Sequence, residues 1–245
     1  MSPLGFALAA AAGNVLGAIV VVRHVRRELR VIDAGIAFGA GFMLAVALLG
    51  VLPEVFRGAG PGGAGAATAA GYVLAGYLLV HVAQHVLVPH FHFGEETHKV
   101  TVATGVTALL GLSLHAVFDG VAIASGFLTS SRLGVLLFLA VLVHKVPEGL
   151  TIGSIILAGG QSKARAVGSA ACVGAATLLG VVLTEGIGPL ARHGLALSAG
   201  VTLYVAASNL VPEFQQKRRP AAALAFFAGL AAYAAGEALL AAWVS

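Results

Sequence analysis

The chain has 245 residues, 59% of them hydrophobic and 10% charged, with a mean hydropathy of +0.97 and a formal net charge of +4. That balance excludes a soluble globular domain and sets the class as an all-α integral membrane protein. The pI near 9.6 reflects charges gathered outside the apolar runs, so it signals topology and not nucleic-acid binding.

Apolar runs of membrane-crossing length predict eight transmembrane helices, over roughly residues 3–22, 33–55, 70–89, 100–127, 133–158, 165–186, 189–212 and 221–243. No basic residue precedes the first run and its arginines follow it, so it is expected to stay as a helix, not to be cleaved as a signal peptide. The loops are too short for a soluble domain, and residues 1–245 read as one transmembrane domain. Between the second and third spans, "RGAGPGGAGAATAAG" from Arg57 to Gly71 reads as a flexible outer loop without ligands. His81 and His85 stand four apart on the third span beside Gln84, where helix packing and a pathway role are both open. The loop that follows, "PHFHFGEETHK", holds His90, His92, Glu95, Glu96 and His98, a short His-rich tract suited to weak metal capture or to a solvated turn. Cys172, the single cysteine, is expected to be buried in the sixth span, and being alone it excludes an intrachain disulfide or thiolate cluster. Glu237, in the last span, is a buried acid whose partner the sequence does not name.

Orientation follows from lysine and arginine. One set of alternate loops carries Arg23, Arg26, Arg27, Arg30, Lys99, Lys163, Arg165, Lys217, Arg218 and Arg219, and the other only Arg57, Arg132 and Arg192. The richer set marks the cytoplasmic side, so both termini face out. The remaining basic residue, Lys145, lies inside the membrane.

"GFMLAVALLGVLPE" from Gly41 and "GVTLYVAASNLVPE" from Gly200 align without gaps through Pro53/Pro212 and Glu54/Glu213. They fall on the second and seventh spans, which cross in opposite senses, the signature of an inverted repeat. A second pair lies between them: "HAVFDGVAIAS" from His115 and "HKVPEGLTIGS" from His144 match at His, Val, acid, Gly, Ile and Ser. The chain therefore reads as a 3+2+3 inverted-repeat bundle whose polar pair sits at the centre. Ser208 and Asn209, whose aligned partners Leu49 and Gly50 are apolar, suit an outer vestibule or a helix contact. Glu54 and Glu213 attract cations or cap helix ends.

On a helix, residues four apart share a face, so His115 with Asp119 and His144 with Glu148 each present an imidazole beside a carboxylate. Nitrogen and oxygen ligands of this kind suit divalent zinc, iron or manganese. An acid at this depth costs about 2.5–3.5 kcal/mol on insertion scales, which makes function the default reading over structural His–acid hydrogen bonds. Pro147 leaves the Val143 carbonyl without its helical partner, so a kink or unwinding is expected there.

The tandem "HxxxDG" and "HxxPEG" motifs, the "LPE" closing the second span and the "YVAxxxLVPE" of the seventh resemble the ZIP (Zrt/Irt-like) family of divalent metal transporters, in a prokaryotic form. The resemblance implies a multi-pass protein of the cell (inner) membrane that moves zinc, or iron, manganese, cobalt or cadmium, into the cytoplasm. The metal is the substrate, no organic cofactor is involved, and a homodimer is permitted. By position the metal centre lies on helices four and five, about 100–158, and uses His115, Asp119, His144 and Glu148, with Met43 as a further candidate. A second adjacent site common in the family would use the residues after each histidine, which here are Ala116 and Lys145. Alanine has no ligand atom and a lysine ammonium only donates, so a single-site transporter is expected. Lys145 is expected to stand in for the second metal and to meet Glu148, Asp119 or Glu185; the alternative is a stem that snorkels to the membrane surface. A histidine common in the family at the position of Gly50 is missing.

Three other classes differ from this in what they require, and one of them, a purely structural membrane subunit, would leave the central histidines and acids without work. A cation-diffusion-type exporter would be expected to show about six spans and a cytosolic C-terminal domain. An intramembrane metalloenzyme would call for a His-Glu-x-x-His string, and none occurs.

Overall fold

A computed structural model describes residues 2–24, 29–60, 63–83, 85, 102–216 and 220–244. Every regular element among them is helical. In chain order they are α1 (Pro3–His24), α2 (Leu29–Ala45), α3 (Leu52–Gly58), α4 (Gly63–Val82), α5 (Val102–Thr129), α6 (Ser131–Ala158), α7 (Lys163–Gly186), α8 (Gly188–Tyr204), α9 (Val211–Gln216) and α10 (Pro220–Val244). Among the described residues seven helices are long and apolar enough to cross a membrane. The remaining expected span, 189–212, is α8 running through a wide turn into α9. The protein is a multi-pass helical membrane protein.

Two stretches of π-helix interrupt the spans, Val46–Val51 between α2 and α3 and Val205–Leu210 between α8 and α9. They fall at aligned positions of the repeated segments and share one cause. Pro53 and Pro212 have no N–H to donate and their rings crowd the carbonyl four residues back. The chain widens just ahead of each, so that the N–H of Leu52 bonds Ala47 O and that of Val211 bonds Ala206 O. Pro147 behaves otherwise. Of the kink or unwinding expected there, the unwinding does not occur: α6 stays helical from Ser131 to Ala158. Here α1 is pressed against the proline turn and braces it: a Cβ on Gly17 would stand 2.2 Å from the Val146 carbonyl oxygen.

The outer loop is also shorter than the sequence suggested. Only Ala59 and Gly60, the latter at φ +73°, separate α3 from residues 61–62, and α4 begins at Gly63. The alanines of "GAGAATAAG" are strong helix formers, and Gly65 admits the Ala59 carbonyl where a side chain would collide.

The helices pack as two groups. In one, α1 lies along α6, α7 along α5, α5 along α6 and α1 along α7. In the other, α10 lies along α2 and α4 along α8. Between the groups, α8 meets α5 and α2 meets α6. The closest crossings come in reciprocal pairs. A Cβ on Gly41 would stand 2.1 Å from Phe226 O and one on Gly229 2.1 Å from Phe38 O; at α4–α8 the same holds for Gly200 with Val73 O (1.9 Å) and Gly76 with Leu197 O (2.0 Å). Gly17 and Gly149 join α1 to α6 in this manner, and Gly180 and Gly120 join α7 to α5. Small residues let backbones meet where lipid supplies no hydrophobic drive between helices. The glycines immediately after Asp119 and Glu148 are thus what bring α7 and α1 against the polar centre.

Candidate metal centre

The polar centre lies where α5 and α6 face each other. One turn separates His115 from Asp119 and one turn His144 from Glu148, so each helix turns two polar side chains inward. All four are buried, and Lys145 beside them is 0% exposed. Asp119 Oδ2 is the hub: His115 Nε2 lies at 3.4 Å, His144 Nε2 at 3.2 Å and Lys145 Nζ at 2.7 Å. One ligand atom from each of His115, Asp119 and His144 falls within 4.8 Å of the others, a spacing that one metal ion can bridge.

The hydrogen bonds of His144 fix how its ring is oriented. Its Nδ1 stands 2.8 Å from the Ala140 carbonyl oxygen, which only accepts, so the neutral ring carries its proton on Nδ1. Nε2 lies 3.2 Å from Asp119 Oδ2, a hydrogen bond when Nε2 carries a proton and two facing acceptors when it does not. A cation between them satisfies both, and an Nδ1–H held by a backbone carbonyl is the usual means of orienting a metal-binding imidazole. Neither ring nitrogen of His115 has a hydrogen-bond partner among the described residues. Buried polar atoms of that kind require a reason, and a ligand role supplies one.

Glu148 does not join the three. Its Oε2 lies 2.5 Å from Lys145 Nζ, while Oε1 has no hydrogen-bond partner among the described residues. Lys145 therefore bridges Asp119 and Glu148 at once and does not snorkel. Glu185, the third carboxylate considered for it, is exposed near the end of α7. Ala116 is fully buried beside His115.

The other expected residues lie apart from the cluster or have other partners. Met43 is buried in an apolar cluster with Phe42, Val46, Leu136 and Tyr233. His81 and His85 are exposed and stacked, their ring centroids 4.3 Å apart, with His85 Nδ1 on the His81 carbonyl. Ser208 shares a 3.1 Å hydrogen bond with Tyr77 Oη, and Asn209 is partly buried. Tyr72 meets His193 and, further along both helices, Tyr77 meets Tyr204, so α4 and α8 run parallel. Ser208 thus lies toward the α4 end that carries His81.

Cys172 is exposed, not buried, because α7 turns Val173, Gly174 and Thr177 toward its neighbours instead. Glu237 finds its partner in Arg132, across from α10 to α6. Glu54 pairs with Arg57 on its own helix. Where Gly50 lacks a side chain, Tyr233 Oη stands 3.0 Å from the Cβ position. Gln84 and the loop residues His90, His92, Glu95, Glu96 and His98 lie outside the described residues, as does the side chain of Glu213.

Sequence reasoning overlooked Asn14, on α1. In the amide orientation that satisfies both ends of its side chain, its nitrogen donates to Glu148 Oε2 (3.1 Å) and to the Lys145 carbonyl (2.6 Å). The available signal was a lone amide inside an otherwise apolar span.

Helices of membrane-crossing length around a buried His–Asp cluster define a polytopic membrane protein with a metal-competent core. The model of the ZIP zinc transporter family matches residues 92–242, and the chain belongs to that family. It is similar to zinc transporter ZIP13 of Pongo abelii, 24% identical over 198 residues that make up 76% of this chain and 59% of that protein. Zinc transporter ZIP9 of Micropogonias undulatus is 27% identical over 151 residues, 56% of this chain and 49% of the relative. Zinc transporter YKE4 of Saccharomyces cerevisiae is 22% identical over 148 residues, 54% and 43% respectively. The chain spans about half the length of these curated relatives.

Proposed function

We propose that the chain carries a divalent transition metal, zinc first, across the membrane into the cytoplasm through one transport site formed by His115, Asp119 and His144. The observation that carries this is convergence: the His144 and His115 nitrogens meet on one Asp119 oxygen inside an apolar bundle. Family membership and the zinc transporter names of the relatives support the substrate class. The donor set also accommodates iron, manganese, cobalt or cadmium.

Glu148 is the fourth candidate ligand, drawn aside by Lys145 in this state. Lys145 takes the place of a second metal: its ammonium sits between two carboxylates that otherwise repel, and Ala116 contributes no ligand. Imidazole and carboxylate release metal when protonated, so binding weakens as pH falls.

The repeated sequence segments, the matched π turns and the reciprocal glycine crossings support a 3+2+3 inverted repeat. Access alternates by relative movement of the two helix groups. Because α1 and α7 pack onto the helices that hold the metal, the dividing surface falls outside those four helices and not around α5 and α6 alone. Both termini face outward, and the His-rich loop from His90 to His98 receives metal on the cytoplasmic side.

The test is uptake of several radiolabelled divalent ions into proteoliposomes by wild type and His144→Ala. Uptake that the substitution abolishes supports the site. Uptake that it leaves unchanged overturns the assignment.

A further inference from the structure

Asp119 and Glu148 occupy matched places in the paired motifs, one residue before a glycine on which a neighbouring helix rests, yet they stand differently. Asp119 points into the cluster, and Glu148 is held out of it. The residue that each glycine admits also differs. A Cβ on Gly120 would stand 2.0 Å from the carbonyl oxygen of Thr177 on α7, and one on Gly149 2.0 Å from that of Asn14 on α1. Both residues are 0% exposed. Thr177 Oγ1 has no hydrogen-bond partner among the described residues, so nothing on that side tethers the acid. Asn14 instead donates to Glu148 Oε2 and to the Lys145 carbonyl. With Lys145 Nζ at 2.5 Å on the same oxygen, Glu148 Oε2 has two donors and both come from outside the His–Asp cluster.

We propose that Asn14 is a positioning residue that keeps the Glu148 carboxylate on Lys145, and so sets whether a metal held by His115, Asp119 and His144 meets three protein ligands or four. This rests on the metal-centre reading above. A buried amide in a bundle where lipid offers no partner is held firmly only when both its ends are satisfied, and the α1–α6 crossing at Gly149 fixes its height on α6. Removing the amide leaves Lys145 as the sole donor to Oε2, and a metal then competes for Glu148 on better terms.

The test is a double-mutant cycle on the full purified chain, with zinc affinity read by competition against a chelating indicator. Glu148→Gln is measured in the wild type and in Asn14→Ala, with Asn14→Thr as a second background because Thr177 shows that threonine fits this kind of crossing. In the Asn14 backgrounds Glu148→Gln is expected to weaken zinc binding by about threefold or more beyond its effect in the wild type. A smaller difference, or one of opposite sign, overturns the positioning role, since a purely packing role for Asn14 predicts additive effects. Asp119→Asn separates the two levels. If it leaves zinc binding intact, the metal centre itself is refuted; if it abolishes binding while the cycle is additive, only the Asn14 proposal fails.

Discussion

Lys145→Met removes the ammonium while keeping an unbranched side chain of similar length, and its cost follows from what remains. The ammonium is fully buried, 2.7 Å from Asp119 and 2.5 Å from Glu148, so its loss leaves two carboxylates facing each other in an apolar bundle. Breaking a buried ion pair by deleting one partner costs about 3–5 kcal/mol, and here one deletion strips two acids. In metal-free protein the apparent unfolding midpoint should fall on the order of 10 °C, scaling from chains of this size. A divalent cation replaces the missing charge and binds only the folded state, so saturating zinc should return most of that loss and produce a larger shift than in the wild type. Thermal unfolding in detergent, with zinc and with chelator, measures both effects. Lys145→Arg keeps the charge and should resemble the wild type more closely. A methionine variant that unfolds at the wild-type midpoint, with an unchanged zinc shift, would refute the claim that Lys145 neutralises the carboxylate pair.

Three further expectations follow from the same geometry. The double change Ala116→Asn with Lys145→Asp restores ligand atoms at the second position and should bind two zinc ions per chain where the wild type binds one, as counted by elemental analysis against protein mass. Gly149→Ala places a Cβ 2.0 Å from the Asn14 carbonyl and should cost about 1–3 kcal/mol or more through overpacking, with loss of zinc affinity, while Gly168→Ala, where nothing lies within 4 Å, should be neutral in the same unfolding assay. Arg132 and Glu237 are each more than a third exposed at their side chains, so the coupling between Arg132→Ala and Glu237→Gln in a stability cycle should be about 0–1 kcal/mol.

The helical class and most of the spans were legible because apolar runs of membrane length admit few other structures. The His–acid pairs could be placed on one face by a periodicity argument that needs no tertiary information, and the fold brings His115, Asp119 and His144 together. Residues that depend on a neighbour distant in sequence were not legible. Glu237 gave no hint of Arg132, and Asn14 gave none of Glu148, because each contact is fixed by a helix crossing that only the packed bundle defines. At Pro147 local chemistry admits unwinding as well as a kink, yet α6 stays helical where α1 lies against it. The π turns were readable in principle from Pro53 and Pro212 at matched positions late in apolar spans. Cys172 was misplaced because uniform apolarity in α7 conceals which face meets protein and which meets lipid.

The central claim is one metal held by His115, Asp119 and His144, with Lys145 in the second position. Anomalous diffraction from zinc-loaded crystals measured at the zinc edge tests it most directly. The account predicts a single strong peak per chain within bonding distance of those three side chains, with no second peak adjacent to it. Two adjacent peaks, or one peak centred elsewhere, would contradict it.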